Sequence, residues 1–448
     1  ASIASRYDLS IDMARQALQV HQDAGDRVGT ARATAELGFV MLNARHDREA
    51  FAMLEPAVAE FADLESDVVL ADLKLNLARA HNQLNQREQA VALADEALEI
   101  AEHSNHPDLL ARGLIVKGAA MGSLGRLREA IALIRAGEEV AREHNLISDV
   151  LASLVVRGYF LGEVDNSQAR QCYLDGLELA RRVGHRAWSH NFVNNFGYTA
   201  FLTGEWDAGL AEMESVLSED LETVGRIWLL SNALIIHVSR GDEVAERLAE
   251  LERLAATVDD PHVSQAPDDT RANAAQAEGR LEEAQRFWIK IAETWAGQAP
   301  ASLYQAARPA LWAGDLDAVR RYAASLDETG VHGPVVEVRR TNLRAAIAAL
   351  EGRAHEALTL YTEAFEAWGN LKVLWEQALT GLDMATLLDA SEPRVAAAIK
   401  SSRETLTRLG ARPYLGRLEN IVGRAAPTPV KPGRPAEPTV AEPAQPLS

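Results

Sequence analysis

The stretch Lys117-Gly-Ala-Ala-Met-Gly-Ser-Leu-Gly-Arg-Leu-Arg-Glu-Ala130 decides the fold of this chain. Gly118 places a residue without a side chain inside a helix-forming run, Gly125 offers a turn, and Ala130 opens a second amphipathic run. Two helices can cross closely where small residues lie at the crossing and apolar residues flank them at helical spacing. The stretch therefore predicts one helix, a tight turn and a second helix packed against the first.

The same unit recurs along nearly the whole chain. A small residue heads each second helix, in the series Ala50, Ala90, Ala130, Ala169, Gly209, Ala245, Ala284, Ala318, Ala357 and Ala396. Successive members are 34 to 40 residues apart, and a regular period of this length indicates a repeat array. Four of them have a small partner twelve residues earlier, at Gly38, Ala78, Gly118 and Gly197.

These motifs resemble the tetratricopeptide repeat (TPR) family. The resemblance rests on Ala35-Glu-Leu-Gly38 and on the turns Gly125-Arg-Leu-Arg-Glu-Ala130, Gly279-Arg-Leu-Glu-Glu-Ala284 and Gly352-Arg-Ala-His-Glu-Ala357. It implies an all-α, right-handed α-solenoid of nine to ten TPR-like hairpins, with a period near 40 instead of the usual length of about 34. A HEAT or armadillo array, with a period of about 40 to 47, is the alternative; the small residues twelve apart favour the TPR-like interpretation.

The two ends of the chain predict different structures. Residues 9–22 align with residues 90–102, a second helix, so the array over residues 1–424 is expected to start in mid-repeat and to follow further chain upstream. Seven of the sixteen prolines fall in the last 22 residues. Residues 425–448 therefore read as a Pro-rich, disordered tail.

Composition limits the functional classes. The net charge of −20 disfavours direct nucleic-acid binding, which needs a basic surface. Cys172 is alone, so the chain forms no internal disulfide and fits a reducing cytoplasm. No apolar run approaches the roughly 18 to 20 residues of a membrane span.

No catalytic, cofactor or metal motif stands out. The sequence contains no phosphate-binding loop, no dinucleotide fingerprint and no His-Glu-x-x-His. His103 and His106 lack a third ligand, and Cys172 reads as a buried, inert thiol. The acid pairs Asp259-Asp260 and Asp268-Asp269 read as solvated charges in a polar, Pro-containing loop over residues 258–269. The region is therefore predicted to be non-enzymatic and to hold no cofactor or metal.

The stretch Trp188-Ser-His-Asn-Phe-Val-Asn-Asn-Phe-Gly-Tyr198 carries the strongest functional signal. The resemblance implies that first helices line a concave groove, with Asn191, Asn194, Tyr198 and Phe201 as groove residues. Asn is a poor residue inside a helix, and its amide can bind the main chain of an extended peptide. Alternatively, the amides hydrogen-bond to the neighbouring repeat. Further predicted groove residues are Arg79, Asn82 and His237, whereas Trp288, Tyr322 and Tyr361 read as core.

These features predict a protein-interaction module whose partner is a protein or peptide segment, with no direct contact to nucleic acid or membrane. The last part of the array is similar to the C-terminal TPR sensor regions of large signalling proteins of the AAA/STAND type from bacteria, in particular actinobacteria. The similar segment is Arg403-Glu-Thr-Leu-Thr-Arg-Leu-Gly-Ala-Arg-Pro-Tyr-Leu-Gly-Arg-Leu418. That resemblance implies an upstream ATPase domain, with an adenylate cyclase or LuxR-type DNA-binding domain as output and the upstream domains as partners. The alternatives are a stand-alone cytoplasmic TPR scaffold and the C-terminal region of a class III adenylate cyclase.

Overall fold

In a computed structural model, the protein is described over residues 7–64, 67–258, 260–295 and 297–425, and these residues form helices and turns without a strand. The helices are α1 Tyr7–Asp23, α2 Arg27–Asn43, α3 Asp47–Glu60, α4 Asp67–Gln83, α5 Arg87–Ser104, α6 Pro107–Ser123, α7 Leu127–Glu143, α8 Ile147–Leu161, α9 Asn166–Arg182, α10 Arg186–Thr203, α11 Trp206–Leu217, α12 Thr223–Arg240, α13 Ala245–Ala255, α14 Pro261–Ser264, α15 Ala266–Ala277, α16 Leu281–Thr294, α17 Ala299–Ala313, α18 Leu316–Glu328, α19 Pro334–Leu350, α20 Ala354–Asn370, α21 Leu374–Leu387, α22 Pro393–Leu409 and α23 Arg412–Ala425.

From α2 onward the helices pair as antiparallel hairpins, which confirms the predicted all-α solenoid. Consecutive first helices, such as α2, α4, α6 and α8, also pack against each other and form one layer of the array. Tight turns between the paired helices contain a residue in the left-handed conformation, Gly125 at φ +83° and Asn85 at φ +62°. Glycine and asparagine tolerate this conformation, so in these hairpins the turn residue ends the first helix at a defined place.

Small residues lie at the helix crossings, as the sequence predicts. A Cβ on Gly118 would lie 2.6 Å from Cγ1 of Ile134 and 3.0 Å from the carbonyl oxygen of Ala130. Ala50, Ala90, Ala130, Ala169, Ala284, Ala318 and Ala357 of the aligned series are buried. Side chains at these positions are small because the partner helix occupies the space.

Two members of the series do not lie at a buried helix crossing. Ala245 and Ala396 are exposed, because Ala245 is the first residue of α13 and α22 is set in a different register by Pro393 in its first turn. The core positions of α13 are Leu251 and Ala255, and those of α22 include Val395 and Ala398.

The array folds back on itself along a line of contacts that we call the seam, in which residues 169 to 217 positions apart meet. Helix α10 packs on α21, and α12 packs on α23. Arg408 donates to the carbonyl oxygen of Gly204 at 2.9 Å, and Arg339 pairs with Glu163 at 3.1 Å. Trp375 of α21 lies against Phe201 and Trp206, with ring centroids 5.3 and 5.2 Å away. The seam brings loops from distant repeats together and so positions the candidate site.

The predicted polar loop over residues 258–269 is wrong. It holds α14 and the start of α15, each with a proline in its first turn. Asp260 caps α14 by accepting hydrogen bonds from the backbone N–H groups of His262 and Val263. Proline at the start of a helix loses no hydrogen bond, since that N–H has no helical partner, so this composition begins helices here instead of breaking them.

The predicted Pro-rich tail lies outside the described residues from position 426 onward, and so do residues 1–6. Within the described ranges, none of the helices combines the length and the apolar character needed to cross a membrane.

Candidate functional site

The seam encloses a cavity of about 1090 Å³, which we call the seam cavity. One wall comes from the first two hairpin turns, residues 43–49 and 83–85. The opposite wall comes from α10, from the start of α12 and from residues 257, 258 and 260–262. These walls are far apart in sequence and meet only because the array folds back. The volume matches the upper range of cavities that bind small ligands.

Amide side chains occupy both walls of the seam cavity. Asn191 and Asn194 of α10 line one side, and Asn43, Gln83 and Asn85 line the other. The two sequence-predicted asparagines therefore lie in the cavity, together with amides that sequence reasoning did not identify.

Neighbouring asparagines orient the two amides of α10. The Nδ2 group of Asn195 donates to Oδ1 of Asn191 at 2.9 Å, and Asn232 of α12 donates in the same way to Oδ1 of Asn194 at 2.9 Å. The second contact is the bond to the neighbouring repeat that was the alternative interpretation of these residues. Because both oxygens already accept hydrogen bonds, the Nδ2 groups are the donors that Asn191 and Asn194 can offer to a ligand.

Charged residues from the two sides of the seam meet at one end of the cavity. Arg45 lies 3.3 Å from Oδ2 of Asp47, 3.3 Å from Oδ2 of Asp260 and 3.3 Å from Nδ1 of His262. Arg45 adopts φ +66°, a conformation that is uncommon for a long side chain. This conformation belongs to the turn between α2 and α3, where Asn85 and Gly125 occupy the corresponding positions of the next two hairpins, and the turn places the Arg45 side chain between two acidic residues.

Burial and charge act in opposite directions on these two acids. Burial raises the pKa of Asp47, although the charge of Arg45 opposes the shift. Burial also acts to raise the pKa of Asp260, but the hydrogen bond with His262 and the charge of Arg45 outweigh it and hold that pKa below its usual value. Ligand atoms of Asp47, Asp260 and His262 lie within 4.8 Å of one another, so these three residues could hold a metal ion.

Aromatic rings border the α12 side of the cavity. Trp228 lines it, and the Trp228 ring lies 6.0 Å from that of Trp295, which in turn lies 5.3 Å from the ring of His262. His190 also lines the cavity, with Nε2 at 3.3 Å from Glu219, and burial lowers its pKa despite that contact. These rings give one wall an apolar surface beside the amides.

Two other predicted groove residues of α10 lie elsewhere. The prediction for Phe201 is wrong: the ring is buried against Trp206 and Trp375 in the seam, because the array closes where an open groove was expected. Tyr198 is 41% exposed but does not line the cavity. Burial of its hydroxyl group raises the pKa of Tyr198, and the charges of Arg339 and Asp269 act on the same group.

The three predicted groove residues on other helices do not line the cavity either. Arg79 lies over the ring of Phe39 and donates to Oδ1 of Asn43 at 2.8 Å, so it supports a lining residue from behind. Asn82 is half-buried beside the lining residue Gln83. His237 lies 3.0 Å from Asp242 and 3.6 Å from Glu214, which makes it part of a local ion-pair group on α12.

The remaining sequence assignments divide into confirmed and wrong ones. Cys172 is buried, and burial raises the pKa of its thiol. Trp288 and Tyr361 are core residues as predicted, while Tyr322 is half-buried. The acids Asp260 and Asp268 are not solvated but buried; Asp259 lies outside the described residues. His103 and His106 bond only to nearby residues among those described, the Glu99 carbonyl oxygen and Asp108.

Sequence reasoning missed the lining residues from turns. No motif links residues 43–49 and 83–85 to residues 257, 258 and 260–262, since only the seam brings them together. Trp228 could have been found, because it lies on the first helix of the repeat that follows Asn191. The spacing of the repeats is the signal that would have placed Trp228 beside Asn191.

A scan of protein-family models and a search of curated proteins find no match to this sequence. Among solved structures, a Rap protein complexed with competence and sporulation factor is 13% identical, with 89% of this chain and 99% of that chain covered and a TM-score of 0.47. The apo form of the quorum sensor NprR from B. thuringiensis is 12% identical, with 87% and 99% covered and a TM-score of 0.41. Yeast Tom70 is 14% identical, with 88% and 90% covered and a TM-score of 0.36. At these identities and TM-scores, the similarity says nothing about function.

Proposed function

We propose that this chain is a peptide-binding regulatory array and that the seam cavity receives an extended segment of a protein or peptide partner. The observation that carries this proposal is the pair of oriented asparagines, Asn191 and Asn194, facing a cavity whose opposite wall presents further amides. A peptide main chain alternates donors and acceptors, and amide side chains can satisfy both.

The remaining lining supports a peptide over a purely polar ligand. Trp228 and the neighbouring Trp295 provide apolar area for a side chain of the ligand, while the amides bind its main chain. Ligand cavities commonly combine a large apolar surface with a few oriented polar groups.

We further propose that the array is the sensor region of a bacterial signalling ATPase, with the output supplied by other domains. The support is the resemblance of residues 403–418 to such regions. A stand-alone scaffold is the competing proposal. Sequencing the gene upstream of the codon for Ala1 separates them: an open frame with a phosphate-binding-loop ATPase supports the sensor, and a start codon directly before Ala1 supports the scaffold.

Peptide binding is tested by selecting short random peptides displayed on phage against the immobilised chain and measuring the affinity of the selected peptides. In the Asn191→Ala/Asn194→Ala variant, the affinity is expected to fall about tenfold or more, because each lost hydrogen bond is worth about 0.5 to 1.5 kcal/mol and 1.4 kcal/mol corresponds to a factor of ten.

Asn420→Ala is the matched control, since Asn420 is an exposed asparagine on α23 away from the cavity. It should bind the selected peptides as tightly as the unsubstituted chain. Equal affinity of all three proteins would show that the selected peptides bind elsewhere and would refute the assignment of the seam cavity.

A further inference from the structure

We propose that Asp47, Asp260 and His262 form a binding site for a divalent transition-metal ion such as Zn²⁺ at the seam. The carboxylate of Asp47 lies at the start of α3, and the other two groups lie at α14. These two parts of the chain come close to each other only at the seam. This site is separate from the proposed peptide-binding amides and does not depend on them.

The spacing of the three side chains fits a metal centre. Zinc binds nitrogen and carboxylate oxygen at about 2.0 to 2.2 Å, so two tetrahedral ligand atoms lie about 3.4 Å apart. Nδ1 of His262 and Oδ1 of Asp260 are already 3.4 Å apart. The ligand atom of Asp47 lies within 4.8 Å of both, so an inward movement of this side chain would complete a three-ligand set.

A buried oxygen without a hydrogen-bond partner points to the same place. Asp47 is 7% exposed, and its Oδ1 accepts no hydrogen bond from any described residue. Buried carboxylate oxygens are costly unless they are bonded or coordinate a cation. A metal ion ligated by this oxygen would supply the missing partner.

Arg45 currently provides the positive charge at this centre. Its nitrogens lie no closer than 3.3 Å to any of the three side chains, and its side chain is 25% exposed. These contacts are long for charge-assisted hydrogen bonds, which are about 2.7 to 2.9 Å. The guanidinium therefore competes with a metal ion for the same acceptors and can move toward solvent when the ion binds.

All three ligands line the seam cavity, so a metal ion that they hold would be accessible from it. Three protein ligands with one open position are typical of zinc sites that accept water or a further ligand. Binding would also link residues 47 and 260 across the seam and so stabilise the folded-back array.

The test is titration of the full chain, first stripped with a chelator, with Zn²⁺ alone by calorimetry and with Co²⁺ alone by visible absorption. We expect one equivalent of bound metal, and binding at least about tenfold weaker in Asp260→Asn and in His262→Gln, since even residues outside the ligand set change metal affinity 10- to 100-fold. Asn retains the capping of α14 that Asp260 provides, and thermal unfolding of each variant confirms that it folds.

Arg45→Gln distinguishes a metal site from a simple ion-pair cluster. Removing the competing cation should tighten Zn²⁺ binding and allow Zn²⁺ to restore the thermal stability that the substitution costs. His355→Gln is the control, because His355 is an exposed histidine of α20 that does not line the cavity; it should leave binding unchanged. The proposal is overturned if neither the unsubstituted chain nor Arg45→Gln binds metal, or if Asp260→Asn and His262→Gln bind it as tightly as the unsubstituted chain.

Discussion

At the scale of single residues, Gly118 shows that two helices of a hairpin can pack closely where one residue lacks a side chain. Gly118→Ala would place a Cβ 2.6 Å from Ile134 and 3.0 Å from the backbone of Ala130, and the backbone cannot yield as a flexible side chain can. We expect a loss of about 1 to 3 kcal/mol in the free energy of unfolding, which is typical of overpacking, measured by urea denaturation.

The control for this substitution is Gly416→Ala in α23, where an added Cβ meets nothing within 4 Å. Alanine favours a helix over glycine by about 0.5 to 1 kcal/mol, so this variant should be slightly more stable. Equal effects of the two substitutions would contradict the predicted crossing at Gly118.

Asp269 makes the stability of the folded state depend on pH. Burial, followed by the charge of Asp268, raises the pKa of Asp269 from 3.8 to about 7. Between these two values the folded chain binds a proton that the unfolded chain does not, so stability from this group is greatest at low pH and falls as pH rises through the window. Asp269→Asn should reduce the slope of the melting temperature measured between pH 5 and 8 and leave the part that comes from Asp149, whose pKa burial raises to about 6.

Asp317→Asn serves as the comparison for that series, because the Asp317 side chain is 83% exposed. Its melting temperature should follow the pH dependence of the unsubstituted chain. An unchanged slope in Asp269→Asn would mean that another group is responsible.

At the scale of elements, a buried charge network joins α17 to α21. Arg308 donates to Glu376 at 2.8 Å and to Asp383 at 3.3 Å, and all three residues are buried. Arg308→Met would leave two buried acids without their cation, which is expected to cost about 3 to 5 kcal/mol of unfolding free energy.

Arg320→Met tests whether burial causes this effect. Arg320 pairs with Glu351, but its side chain is 49% exposed, and exposed pairs contribute about 0 to 1 kcal/mol. Denaturant unfolding of both variants should therefore show a large difference, and similar losses would contradict the importance of the buried network.

The helix pairs themselves could be predicted from the sequence because their signals are local. The small residues at the crossings and the left-handed turn residues lie within one repeat, as at Gly118 and Gly125. The prediction of a polar loop over residues 258–269 is wrong because prolines and acids are also common where helices begin. Asp260 followed by Pro261 is in fact a helix-start signal, an N-cap followed by proline at the first helical position.

At the scale of the whole molecule, the seam could not be predicted, and half of the candidate site depends on it. Asn191 and Asn194 were found from their unusual place inside a helix, but Arg45 and Asp260 were not, since no periodic pattern links residues 215 positions apart. The path of a solenoid accumulates from small rotations between neighbouring repeats. Whether its turns meet is therefore a property of the whole array.

Closure at the seam should also change how the molecule unfolds. In an open repeat array each unit contacts only its neighbours, so segments can unfold separately. Here Trp375 of α21 packs on Phe201 and Trp206 of an earlier hairpin. Trp375→Ala should therefore let α21 to α23 open at a lower free energy than α10 and α11, whereas in the unsubstituted chain these segments should open together in native-state hydrogen exchange.

Trp288→Ala is the matched control for this last prediction, since Trp288 is a buried tryptophan that packs within its own region, against Ala272, Ile291 and Ala306. Both substitutions remove a large core side chain, which costs about 3 to 5 kcal/mol. Only Trp375→Ala should uncouple α21 to α23 from α10 and α11, because of these two tryptophans only Trp375 packs across the seam. If both variants leave these segments equally coupled, the seam does not carry the cooperativity, and the array behaves as a chain of neighbouring repeats.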